Sequence, residues 1–260
     1  MKIDLLEYAA TQVKNRETFL LNYGKDFRTF SYQLGALQDV WSRIGVEKDL
    51  QGRSHAGLLL FCSILIRHAI LGFQHIATYQ SFLAWLTFRP GLEALLILGK
   101  FVDNPDNAKI WRDRLVASKA YQKAFSGKSL ISKSLPKSSD FREVLTRLND
   151  NFIHPNPDFT YRDTSVHDIG QKLFLETQYF DVISDLHNGH LLAYLNLLDL
   201  IICASESLLN NLYGPPPNAS NVRYIFAKAE ASRAADLATR NPAARTVMEE
   251  LGLWRFKSML

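Results

Sequence analysis

Arg147 and His154 are the two side chains best placed, by type and spacing, to do chemistry together. They lie in the stretch Arg142–Pro157, where Phe141, Val144, Leu145, Leu148 and Phe152 mark the apolar face of a helix. Seven helical steps return a side chain to within about 20° of its starting direction, about 10 Å further along the axis. A guanidinium steadies a phosphate and the charge that builds on it, and an imidazole moves protons near neutral pH. The pair therefore suits a phosphate ester. Pro155 disfavours helical geometry at His154, so the imidazole is expected where the helix frays into a loop. Arg162 and His167 form a second pair of this kind, in a stretch that reads as loop or hairpin. For both pairs the structural alternative is a solvent-facing pair without a reaction.

Arg89 and Glu93 stand one helical turn apart in heavily apolar sequence, which expects an ion pair, because a buried charge needs its partner. They would either brace a kink or line a polar pocket together with His154, as binding residues. His187 and His190 are three apart, a spacing that also fits a metal. No carboxylate-rich partner accompanies them, so no metal is expected and a pair near a helix start is the plainer reading. Gly127-Lys128-Ser129 resembles the end of a phosphate loop, but Gln122 stands where that loop needs glycine. No cofactor motif is found.

The elements that must position these residues are helices. Residues 3–22 predict a first helix with Leu5, Leu6, Ala9, Val13 and Leu20 on one side and Glu7, Lys14, Arg16 and Glu17 elsewhere. Gly24 breaks it, and a second helix runs from about Thr29 to Ile44. Ala56–Phe88 is the most apolar stretch and is expected at the centre. Arg89-Pro90-Gly91 interrupts that run, kinking one long helix or starting a new one. Asn104-Pro105 opens a polar helix to about Phe125, and Gly127–Asp140 predicts a mobile loop. Phe159–Tyr161 and Leu173–Leu175 could pair as a hairpin, and Asp181–Leu212 returns to helix before Gly214-Pro-Pro-Pro217. The fold class expected is all-α: a multi-helix bundle with one short β-hairpin insertion and a C-terminal helical appendage. The domains are a helical bundle over 1–213 and a C-terminal helical arm over 214–260, after the Pro-rich linker.

Composition bounds the function. With 260 residues, 47% hydrophobic and 22% charged, the chain can bury a sizeable core. Cys62 and Cys203 sit in apolar runs, as reduced thiols do, so no disulfide scaffold is expected. Ala69–Phe88 carries no formal charge, but Gln74, His75, Thr78, Gln80 and Ser81 interrupt it, which favours a buried helix over a membrane span. Asp4 and Glu7 stand where a signal peptide needs an apolar run, so a cytoplasmic location is expected. The net charge of +4 is modest, and Arg223, Lys228, Arg233, Arg240 and Arg245 give the last segment a basic balance that suits a solvated face, a partner or nucleic acid.

Three features together resemble the HEPN-like helical families: the apolar helix leading into Arg89-Pro90-Gly91-Leu92-Glu93-Ala94, the Arg147-x6-His154 pair with its following proline, and a hairpin-like insertion before a leucine-rich helix. The resemblance covers about 55–212. It implies a homodimer, because such sites form where two copies meet. It also implies one of two functions. One is a partner-binding or dimerising module of a bacterial defence or toxin–antitoxin type system. The other is a metal-independent endoribonuclease, with Arg147 steadying the scissile phosphate of RNA and His154 moving protons.

Overall fold

The structure is a computed structural model. It describes residues 5–46, 54–153, 164–169, 172–177, 180–181, 184–214 and 240–253, with isolated positions between 225 and 237. Helix dominates, as expected. The helices are α1 (Leu5–Val46), α2 (Ser54–Ala77), α3 (Ser81–Asp103), α4 (Asp106–Arg112), α5 (Ser118–Phe125), α6 (Ser138–Leu148), α7 (Asp185–Tyr213) and α8 (Pro242–Glu250). Strands β1 (Thr164–Ile169) and β2 (Lys172–Thr177) pair antiparallel, with Val166 opposite Leu175. Phe159–Tyr161, expected as the first strand, lies outside the described residues.

Helices α2 and α3 form the antiparallel hairpin on which the bundle is built. Glycines let the two backbones close: a Cβ on Gly91 would meet His68 at 3.1 Å, and one on Gly72 would meet Ala84 at 3.1 Å. The chain reverses at Thr78-Tyr79-Gln80, where Tyr79 adopts a left-handed φ of 58° that only tertiary contacts can hold. The break inside the apolar run therefore falls at Tyr79, ten residues before the one expected at Arg89–Gly91. Pro90 sits within continuous helix.

The central helix is α7 rather than α2. Residues 190–202 of α7 are buried without interruption, whereas Leu59 and Leu60 of α2 are exposed. At its core Tyr194 donates to the Ala69 carbonyl at 2.7 Å, and Gln33 of α1 donates to the Leu195 carbonyl at 2.9 Å. Helices 58–77, 81–103 and 185–213 are long and apolar enough to cross a membrane by length and composition.

The break expected at Gly24 is present one residue earlier: Tyr23 is non-helical (φ −122°, ψ 27°), and two helical segments meet there within α1. Two further expectations change. The single helix expected to Phe125 is split into α4 and α5 by a turn at 113–117. The segment expected as a mobile loop is fastened: the Asp103 carboxylate accepts from the backbone N–H groups of Lys133 (2.9 Å) and Ser134 (2.7 Å) and from the Ser132 hydroxyl (2.9 Å). Burial alone would raise the Asp103 carboxyl, but these donors outweigh it and hold the group below its ordinary range. Helix α8 starts as the sequence predicts, with the Asn241 side chain accepting from Ala244 N at 2.9 Å and Pro242 in the first turn.

Candidate functional site

Helix α6 buries Phe141, Val144, Leu145 and Leu148 and then widens into a π-helical turn, Asn149–Ile153. Turns of this kind are rare and are found most often at functional positions. Here the wider turn presents Asn149 to α3, where Arg89 Nε donates to Asn149 Oδ1 at 2.6 Å. Arg89 Nη1 lies 3.1 Å from Glu93 Oε2, and both side chains are about one-third exposed (29% and 32%). Burial raises the Tyr121 phenol above its ordinary range, and the nearby Glu93 carboxylate adds to the rise. Arg114, stacked over Trp111 at 3.9 Å, opposes it. The structure thus brings Arg89 and Glu93 together with Asn149 in a half-open polar notch, with Tyr121 close by. At this exposure the ion pair is worth at most about 1 kcal/mol.

Arg147 faces away from that notch. Its Nε donates to Glu143 Oε1 at 3.0 Å, and its Nη1 donates to the carbonyls of Glu249 and Glu250, each at 3.1 Å. Those carbonyls close the end of α8, where backbone acceptors lack helical partners and the helix dipole is negative. Gly252, at φ 73°, completes the fit, since a Cβ there would lie 3.0 Å from Arg147 Nε. The guanidinium is therefore a clamp between α6 and α8. His154 and Arg162 lie outside the described residues, and His167 stands opposite Phe174 in the hairpin.

A buried polar cluster sits at the α2–α3 reversal, and the sequence reading missed it. Ser81 donates from both its backbone N (3.0 Å) and its hydroxyl to Asp181 Oδ2, and His187 Nδ1 lies 3.0 Å from the same oxygen. Asp181 N donates to the Tyr79 carbonyl. Burial pushes the Asp181 carboxyl up, but the hydrogen bonds and charge from His187 and the donors of Ser81 pull it below the ordinary range. His187 is fully buried among the rings of Tyr79 (4.3 Å), Tyr23 (5.8 Å) and Phe19 (6.3 Å). A serine–histidine–aspartate catalytic relay needs the imidazole to bridge acid and hydroxyl through its two nitrogens. Here the hydroxyl and Nδ1 converge on one oxygen, so the cluster is a fastener that ties the segment before α7 to the reversal. His190 turns elsewhere, its Nδ1 accepting from Trp85 Nε1 at 2.9 Å. Among the described residues no group of three His, Cys, Asp or Glu could hold a metal.

The fourth feature is the outer face of α1. The helix meets the body through Tyr8, stacked on Phe180, through Asn15, which donates to the Thr78 carbonyl at 3.2 Å, and through buried Phe19. Gln12 adds a bond to Gln80 at 3.2 Å. The apolar side is thus turned outward: Leu5, Leu6, Val13 and Leu20 are exposed by 74%, 83%, 62% and 45%. Over its middle runs a groove of about 560 Å³, lined on α1 by Ala9, Val13 and Leu20 together with Gln12, Arg16 and Glu17, and across from them by Gln74 and His75 of α2 and by Thr78 of the reversal.

No family model, curated protein or solved structure matches the chain.

Proposed function

We propose that this chain is a partner-binding helical module, HEPN-like in kind, that engages another protein through the outer face of α1. The observation that carries the reading is an apolar helix side, regular enough to be taken for core, that stands in solvent beside a groove. Exposed contiguous apolar surface of this sort marks an interaction site. A defence or toxin–antitoxin setting is what the resemblance adds.

The test is crosslinking in the source cells. A photoreactive residue at Val13 should trap a protein adduct, whereas one at exposed Lys123, on α5, should not. Absence of any adduct at Val13 would overturn the proposal.

A second reading is metal-independent RNA cleavage. Its support is the π turn, which ends one residue before His154 and carries Asn149 to the Arg89 guanidinium. Against it stands the engagement of Arg147 by Glu143 and α8. Labelled RNA incubated with the purified protein in chelator, beside His154→Ala and His167→Ala variants, separates the two. The module predicts intact RNA throughout; cleavage lost only in His154→Ala would favour the nuclease.

A further inference from the structure

We infer that the partner seated on α1 is a second copy of this chain, its α1 laid end for end against the first across Val13. The inference rests on the binding reading above and names its occupant.

The outer face has the form of a helix-pairing seam. Leu6, Val13 and Leu20 recur every seven residues ahead of the kink at Tyr23, and all are exposed. Leu6 and Leu20 are equidistant from Val13, so reversing a second helix about Val13 places Leu6 of one copy opposite Leu20 of the other. Ala9 and Ala10 then come opposite Glu17 and Arg16 of the second copy, small residues facing the stems of long ones. Large-against-small interdigitation of this kind packs well, and long charged side chains cover apolar surface while keeping their heads in water.

Charge points to the same occupant. Residues 5–22 hold Glu7 and Glu17 against Lys14 and Arg16, a net charge of zero. An RNA backbone or an anionic lipid surface would select an excess of positive charge. A helix with both signs instead suits a partner with both signs. In the reversed pair, Lys14 of one copy and Glu17 of the other share a flank and are offset by only about 7.5 Å along the axis, within reach of two long side chains. Leu5, Leu6, Val13, Leu20 and Leu21 all stand exposed over this stretch, the apolar surface that a second copy would cover. Gln74 and His75 of α2 line the groove beside this face.

Sedimentation of the full chain over a dilution series tests the inference. The wild type should be a dimer. Val13→Glu, which places two carboxylates at the two-fold axis, should weaken association at least tenfold with an unchanged circular dichroism spectrum, because Val13 is exposed. Lys14→Glu and Glu17→Lys should each weaken the dimer, and the double exchange should restore it. A wild type that is monomeric throughout, a Val13→Glu chain that dimerises as before, or a double exchange that fails to recover overturns the inference. The crosslink at Val13 keeps the two proposals apart: an adduct with a different protein sinks the second copy and leaves the binding reading standing, and no adduct sinks both.

Discussion

Arg147 shows how a residue chosen for its chemistry can be consumed by structure. Its guanidinium meets a carboxylate and two helix-end carbonyls, as the five fixed donors of an arginine allow. Asp181 is the converse, a single acid that nothing in its local sequence distinguishes and on which three donors converge. Its carboxyl lies below the ordinary range in the folded chain, so it stabilises fully above the unfolded value of about 3.9. That contribution is lost as the pH falls through the folded value. Asp181→Asn should therefore lower stability by about 1–3 kcal/mol near neutral pH. The gap from wild type, followed by urea titration at a series of pH values, should narrow below about pH 4. A gap independent of pH down to the acid limit would show that the charge of Asp181 contributes nothing. Tyr79, held in a left-handed conformation beside this cluster, depends on the same contacts.

Elements carry the next level of constraint. Helix α8 is held to the body at two points, by Arg147 at its C-terminus and by Gly189 of α7 beneath its N-terminus. A Cβ on Gly189 would stand 2.7 Å from the Ala243 carbonyl carbon and 2.9 Å from Ala244 N. Those are backbone atoms, which cannot rotate away as a side chain can. Gly189→Ala should therefore lift α8, costing about 1–3 kcal/mol as an overpacked contact does. Faster amide hydrogen exchange within 242–250, with α2 and α3 unchanged, is the expected signature. Exchange unaltered in α8 would mean that the contact is slack. Buried Val247, Met248, Leu251 and Leu253 give this part of the C-terminal segment an apolar hold on the bundle as well.

At the scale of the molecule, the bundle encloses α7 and leaves the first turns of α1 against solvent. An apolar side left in solvent costs solubility, and association is one way to cover it. If two copies close over it, folding and association are linked, and the thermal midpoint must rise with protein concentration. Melting curves over a wide dilution range should show this in the wild type and lose it in Val13→Glu. A midpoint independent of concentration in both chains would leave α1 without its second copy. Arg89, Glu93 and Asn149 are not among the residues that line the groove over α1, so association there is not expected to need them.

The sequence by itself determined the helical class, the leucine-rich helix before the prolines, the Asn241-Pro242 start and the Arg89–Glu93 pair. Each depends on neighbours within a turn or two, where periodicity and capping chemistry act. It also grouped Leu5, Leu6, Ala9, Val13 and Leu20 on one side of α1. Tertiary structure alone decided what covers what: that the side bearing Val13 faces outward while Tyr8, Asn15 and Phe19 face in, that the chain reverses at Tyr79 instead of Arg89-Pro90-Gly91, and that Arg147 serves α8. Ser81 and Asp181 lie 100 residues apart, and no local rule links them. Apolar periodicity reports that a face will leave water, because transfer free energy depends on the face alone. Whether it is buried by its own chain or by another is set by the shape of everything else.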